Sequence, residues 1–397
     1  MKVFAKMLIM SLFIISCQSA NNKDKSQIRT FDLRELPKIS EIKLSDLGFV
    51  DIEYIPLETN EQSMISGTNN LITGNKIIVG ERFYLVKFLN TILKFQNNGM
   101  FAARIGKEGR GPNEFVVAYD VNINDIDQSI FILCDRGSKF NIYTERGEFV
   151  KTFFTPFSSY EFTFTEGRIL CYSENHFGNF QTSYNLIDTI GRIKKSYPNQ
   201  FPFINHNSYF FWHENLFYRF NNKLFKKEVY SDTIYVYEDM AFKPHLVIEV
   251  GKKLLTPDAR SMYDGLDIRK NFIQPLNLFE FGDYLYYDFV YKFVLPDDVK
   301  IYSFIGSKSS SFQALFDKGL GFINDLDGGP NLVPKTIKDD NTVIALVDAL
   351  QLKNHVVSEV FKNSTPKYPE KKKTLEKLAN SLKETDNPVL VLVKLVK

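Results

Sequence analysis

Short apolar runs alternate with turn residues along most of this chain, and few of them carry a helical period. The clearest stretch is residues 91–153. It reads TILKFQNNGMFAARIGKEGRGPNEF, then a spacer, then SIFILCDRGSKFNIYTERGEFVKTF. The second half repeats the first: Phe95 and Tyr143, Gly99 and Gly147, and Phe101 and Phe149 stand at one common offset. Each copy reads as a strand, a tight turn and a second strand, because Asn97-Asn98-Gly99 and Glu145-Arg146-Gly147 supply residues tolerant of positive φ. The same pattern marks units at 76–105, 129–154, 162–193, 209–251 and 276–323. The third has strands at 162–164, 168–172 and 184–188, and the fourth at 216–220, 224–225, 232–237 and 245–250. In the fifth the strands are expected at 283–289, 291–295, 300–304 and 321–324.

A recurrence of about 40–50 residues, each unit made of strands, is the signature of a β-propeller. One blade cannot bury both of its faces, so blades stack around a channel. Near-alternation in residues 50–57 (VDIEYIPL) and the apolar run 389–396 (VLVLVKLV) predict two terminal strands that share a sixth blade and close the ring. Helical patterns are confined to a short stretch from Thr256-Pro257 to about Lys270, to 348–361, and to 369–384. In the last, Leu375, Leu378, Ala379 and Leu382 follow helical spacing. A parallel βαβ fold needs helices alternating with strands, and that order is missing. The fold class is therefore all-β, a six-bladed β-propeller with a few peripheral helices near the C-terminus.

The first residues change the picture of where the chain works. Lys2 and Lys6 precede the apolar run 7–15, which is shorter than the ~20 residues that span a bilayer and fits a signal peptide over 1–16. Ile14-Ile15-Ser16-Cys17 resembles a bacterial lipobox, which makes Cys17 the expected lipidation site. Residues 17–30 read as a flexible anchored tether and 31–397 as the propeller. The chain is thus expected in the cell envelope, on the periplasmic or surface face of the outer membrane, as a monomer attached through Cys17. Removing Lys2 and Lys6 cancels the formal net charge of +2. A neutral chain lacks the Lys and Arg surplus that a nucleic-acid partner requires. Cys134 and Cys171 sit in apolar strand patterns and read as buried thiols.

Several stretches carry a resemblance to a known family. They are VDIEYIPL (50–57), IGKEGRGPNEF (105–115), the turns at Gly99 and Gly147, SDTIY (231–235), FINDLDGGP (322–330) and YPEKKK…DNPVLVLVK (368–394). The chain resembles the six-bladed propeller lipoproteins of unknown function from Bacteroidetes, related in blade pattern to NHL and TolB-like propellers. The resemblance implies fold and export, and no activity.

Candidate chemistry is sparse. Gly106-Lys107-Glu108-Gly109-Arg110-Gly111-Pro112 lacks the order and the following helix of a phosphate loop. It reads as an inter-blade joint that presents Arg110, Asn113 and Glu114 at the channel mouth. Asn324-Asp325-Leu326-Asp327-Gly328-Gly329 falls out of register with a calcium loop. It reads as a Gly-rich turn, with Asp325 and Asp327 as candidate ligand contacts. The five histidines are scattered, with no zinc or nucleophile motif, so no cofactor or metal is expected. Tyr209-Phe210-Phe211-Trp212 reads as blade packing. A non-enzymatic propeller that binds an envelope protein, a glycan or a peptide is the expected function. The alternative is a glycan hydrolase or lyase, whose carboxylates would converge at one channel mouth.

Overall fold

The computed structural model describes residues 28–65, 75–204, 211, 213–293 and 301–396. Two strands come first, β1 (Arg29–Asp32) and β2 (Phe49–Pro56). Blade 1 is β3 (Lys76–Val79), β4 (Phe83–Phe88), β5 (Thr91–Gln96) and β6 (Phe101–Arg104). Blade 2 is β7 (Ala118–Ile123), β8 (Ile130–Cys134), β9 (Lys139–Tyr143) and β10 (Phe149–Phe154). Blade 3 is β11 (Glu161–Thr165), β12 (Arg168–Tyr172), β13 (Thr182–Ile187) and β14 (Ile193–Pro198). Blade 4 is β15 (Asn215–Phe220), β16 (Lys223–Glu228), β17 (Thr233–Glu238) and β18 (Ala241–Glu249). Helices α1 (Pro257–Met262) and α2 (Gly265–Asn271) lead to blade 5. It comprises β19 (Gln274–Phe281), β20 (Tyr284–Val290), β21 (Ile301–Ser307) and β22 (Gln313–Asp317). Blade 6 is β23 (Pro334–Asp339), β24 (Thr342–Val347) and β25 (Val389–Leu395), with β2 as its fourth strand. Between β24 and β25 lie α3 (Ala349–Val357), α4 (Glu359–Asn363) and α5 (Pro369–Ser381).

Each blade is an antiparallel meander, and the first strands β3, β7, β11, β15, β19 and β23 form the inner ring. Middle strands are covered on both faces, which explains their continuous apolar runs. Every residue of β8 and β9 is buried, whereas the outer strands β10 and β14 are largely exposed. Aromatic rings fill the space between blades. Phe131 meets Phe164 edge-on at 5.0 Å, and Phe140 meets Phe162 at 5.1 Å. Such pairs add about 0.5–1.5 kcal/mol beyond burial, and they account for the high Phe content. Cys134 and Cys171 are buried free thiols, as their strand patterns imply.

The two chain ends close the ring. β2 pairs antiparallel with β25 from Phe49↔Leu395 to Pro56↔Val389. The N-terminal segment also crosses blades 4 and 5 before reaching blade 6. β1 lies parallel on β18, with Arg29 opposite Leu246 and Asp32 opposite Glu249. Ser40 N then donates to Leu315 O at 2.8 Å, and Leu44 N to Ile323 O at 3.0 Å. The first strand therefore begins at Arg29, inside the stretch read as tether; residues 17–27, including Cys17, lie outside the described residues.

The repeated glycines do more than turn the chain. Gly99 has φ 86°, and a Cβ there would stand 2.1 Å from Pro56 O in the closing strand β2. Gly147 (φ 90°) would likewise meet Ile105 Cδ1 at 2.8 Å. Each turn leans on the preceding blade, so a side chain would clash as well as strain the backbone.

The sequence expectations need correction in four places. The spacer between the two repeats holds β7, the inner strand of blade 2. The polar segment Pro334–Asp339 is the inner strand β23; with only one buried residue it lacks an apolar signal. In blade 5 the strands β19 and β22 replace the segments expected at 291–295 and 321–324. Tyr291 to Phe293 are not in a strand, 294–295 lie outside the described residues, and Phe322 and Ile323 form only isolated bridges. The helix expected over 348–361 breaks at Ser358, whose Oγ accepts from Phe361 N at 3.2 Å and caps α4. Thr256 caps α1 through Ala259 N at 3.1 Å, as its sequence predicts.

Candidate functional site

Inner strands of a propeller begin at one face, and there the residues before β11 and β15 meet the β12–β13 connection. Tyr160 precedes and Glu161 opens β11, Glu174, Asn175 and His176 follow β12, and His213 and Glu214 precede β15. Three carboxyl groups and two imidazoles converge as a result. His176 lies between two carboxylates: it pairs with Glu174 through Nε2 and stands 3.6 Å from Glu214 Oε1 through Nδ1. Glu214 is fully buried, and its Oε2 accepts from Asn175 N at 2.5 Å and from Tyr172 Oη at 3.4 Å. Buried Asn215 accepts from Tyr184 Oη at 2.8 Å and donates to Glu161 Oε2 at 3.2 Å. His213 Nδ1 stands 3.6 Å from Glu161 Oε1. Tyr160 packs edge-on against His176 at 5.4 Å and against Tyr119 at 5.1 Å.

The charge balance follows from this packing. Burial pushes the Glu174 carboxyl up, and its contact with His176 only partly offsets that. Burial alone would lower the His176 imidazole, but hydrogen bonding to Glu174 and then Glu214 outweighs it and raises the group to about 9. Glu161, Glu174 and Glu214 form ion pairs only with histidine among the described residues. The mouth therefore carries surplus negative charge, with Glu161 and His213 its more accessible members at 25% and 34% side-chain exposure. Among the described residues, no group of three or more His, Cys, Asp or Glu side chains is placed to hold a metal ion.

A folded-state value of about 9 against the ordinary 6.5 means that protonated His176 stabilises the fold. That contribution is complete below pH 6.5 and is lost as pH rises through about 9. Urea unfolding should therefore show wild-type stability falling across that window by on the order of 2 kcal/mol. His176→Gln should flatten the change, and an equally steep fall in the variant would refute the assignment.

Next to this cluster, the ring is joined by polar contacts between inner strands. Lys76 Nζ pairs with Asp120 Oδ1 at 2.5 Å, and Asp120 Oδ2 accepts from Phe162 N at 3.1 Å. Asn122 Nδ2 donates to Phe162 O at 2.7 Å.

The residues singled out from sequence lie outside this cluster. Arg110 and Asn113 are exposed on the β6–β7 connection, and the Asn113 carbonyl accepts from Asn141 Nδ2 at 3.3 Å. Glu114 accepts from Gly111 N at 2.8 Å and pairs with Lys107 at 2.8 Å, which holds its carboxyl below the usual range. Asp325 accepts from Ser45 N at 3.1 Å, whereas Asp327 is buried and accepts from Asn324 Nδ2 at 2.7 Å, so the two carboxylates serve different partners. Of the aromatic run, Phe211 packs in a cluster with Phe203 and Tyr230, and Tyr209, Phe210 and Trp212 lie outside the described residues, as does His206. Sequence reading missed Glu161, Glu174, His176, His213 and Glu214 because no motif links three separate segments. Their one signal is position: each adjoins a strand end on the face where inner strands begin.

Comparison with known proteins agrees with the architecture. A crystal structure of a Bacteroides fragilis protein classed as exported matches with a TM-score of 0.66 at 15% identity, covering 94% of this chain and all of that one. A DUF4221 family member from Bacteroides vulgatus matches with a TM-score of 0.50 at 13% identity, covering 87% of this chain and 96% of that one. At such identities the likeness is one of fold. No curated protein matches by sequence. A family model does match, over residues 28–394, and the chain belongs to that family, described as a domain of unknown function (DUF4934).

Proposed function

We propose that this protein is an exported, lipid-anchored binding propeller whose ligand seat is the acidic mouth between blades 3 and 4. The observation that carries the reading is the convergence of Glu161, Glu174 and Glu214 on one channel end, paired only with His176 and His213 among the described residues. Carboxylates and imidazoles around aromatic Tyr160 suit hydroxyl-rich or cationic ligands, such as a glycan or a basic peptide. Loops on a rigid ring are where propellers gather binding groups. Glycan and peptide arrays probed with the purified chain should return a ligand whose binding weakens in Glu161→Gln and in His213→Ala. A ligand that binds both variants unchanged would remove the mouth as its seat. Anchoring is supported by the lipobox-like Ile14-Ile15-Ser16-Cys17, and Cys17→Ser is expected to release the protein from membranes.

A glycan hydrolase or lyase is a second reading, favoured by the same converging carboxylates. His176 is held protonated between two acids, which fits an acid better than a base. Product release from the array-selected glycan, lost in Glu161→Gln, would move the assignment to catalysis; binding without turnover keeps it with recognition.

A further inference from the structure

A second polar site lies at the rim of the closing blade, away from the acidic mouth. A cavity of about 480 Å³ opens between β2 and α5 and is lined by Asp51, Ile52, Glu53, Tyr54, Asp327, Lys371, Thr374, Leu375 and Leu378. Its volume is in the range of small-molecule sites, about 300–1,000 Å³.

Asp327 is the unusual member. It is 0% exposed, yet only one of its oxygens is used. Oδ1 accepts from Asn324 Nδ2 at 2.7 Å, Gly329 N at 2.9 Å and Tyr54 Oη at 3.2 Å. Oδ2 has no hydrogen-bond partner. A buried carboxylate oxygen without a donor costs several kcal/mol unless something supplies one. The surroundings are built tightly: a Cβ on Gly329 would stand 2.5 Å from Tyr54 Oη and 2.8 Å from Asn324 Nδ2. The cation of the cavity, Lys371, is already engaged with Asp51 and, at 2.9 Å, with Ile52 O. Lys394 Nζ stands 3.7 Å from Asp51 and 3.6 Å from Glu53, so among the three acids of the lining Asp327 is the one without an ion pair among the described residues; Ile52, Leu375 and Leu378 give the cavity an apolar wall.

We infer that this cavity is a binding site for a primary ammonium group on an aliphatic stem, with the ammonium donating to Asp327 Oδ2 and the stem lying along Leu375 and Leu378. An anion would face the Asp327 carboxylate, which has no ion pair among the described residues. A calcium ion takes 6–8 oxygens, but Asp325 is turned to Ser45 and the Asp327 Oδ1 lone pairs are occupied. An ammonium needs few acceptors and carries the charge that a desolvated carboxylate lacks. Burial pushes the Asp327 carboxyl up, and a bound cation reverses that penalty.

The test uses the purified full chain and n-butylammonium, with n-butanol and butyrate as comparators, read by calorimetry and by amide chemical shifts. Butylammonium should bind saturably and shift Gly329 and Tyr54. Butanol should bind at least about tenfold more weakly, roughly 1.4 kcal/mol, and butyrate should not bind. Thr374→Trp, at an exposed α5 position on the cavity wall, should abolish binding with the thermal midpoint retained. Asp327→Asn should weaken it about tenfold; if that variant does not fold, Thr374→Trp decides alone. The site is refuted if butylammonium does not saturate, if butanol or butyrate binds equally well, or if Thr374→Trp binds as wild type. This outcome is independent of the acidic mouth, whose variants Glu161→Gln and His213→Ala should bind butylammonium normally.

Discussion

Glu280→Ala is expected to lower stability by about 3–5 kcal/mol, the range for breaking a buried ion pair. Glu280 lies on the inner strand β19 with 0% side-chain exposure and ties two blades together. It accepts from Tyr218 Oη at 2.7 Å, is bonded to His245 Nε2 at 2.8 Å and pairs with Lys308 Nζ at 2.7 Å. Lys308 Nζ sits 3.8 Å from the centre of the Phe220 ring, so the same ammonium also touches blade 4. Removing the carboxylate strands an ammonium and a hydroxyl in a desolvated seam. Glu280→Gln should cost less, because its amide oxygen still accepts from Tyr218. The acid response follows from the same contacts. Burial alone would raise the Glu280 carboxyl, but His245 and Lys308 outweigh it and hold the group below its ordinary value of 4.5. Its stabilisation is present above that value and is lost as pH falls through the lowered one. Urea unfolding of the alanine variant checks the size, and a change below about 1 kcal/mol would reduce the pair to the weight of a surface contact.

Leu392→Asp should prevent the ring from closing. Leu392 is 0% exposed in β25, opposite Ile344 on one side and Glu53 on the other. It belongs to an apolar cluster that reaches Tyr84 and Val86 of blade 1, so it serves the closing blade and the next blade together. An unpaired carboxylate there adds desolvation to lost burial, more than about 4–5 kcal/mol. Folded domains have only about 5–15 kcal/mol in all. The expected result is loss of the cooperative thermal transition and rapid proteolysis. Leu392→Ala should cost a milder 2–5 kcal/mol or so. Ile193→Asp, on the exposed outer strand β14, is the control and should change stability by less than about 0.5 kcal/mol. A Leu392→Asp variant that melts with the wild type would mean that closure does not depend on this seam.

The ring was legible because blade interiors write themselves as apolar runs. IFILC and the closing VLVLVKL are buried almost throughout and were readable without partners. The glycines at 99 and 147 marked the turns, although their contacts with neighbouring blades have no trace in local sequence. Inner strands were the weak point. β23 (PKTIKD) carries two lysines and one buried residue, because the channel side of a propeller is not an apolar core. The acidic mouth was invisible for a related reason. Glu161, His176 and Glu214 lie on three segments that only the folding and stacking of blades 3 and 4 bring together. Asp327 is legible as part of a Gly-rich turn, but its burial against Tyr54, which lies far away in the sequence, is not.

The N-terminal segment has a mechanical consequence. It grips blade 4 through β1, touches blade 5 at Leu315 and Ile323, and ends as the outer strand of blade 6. It acts as a hoop over half the circumference. A pull applied at residue 28 must first part the four residue pairs between β1 and β18 before any load reaches the β2–β25 seam. Force entering at the N-terminal end thus meets the short β1–β18 pairing before the eight-residue strand that closes the ring.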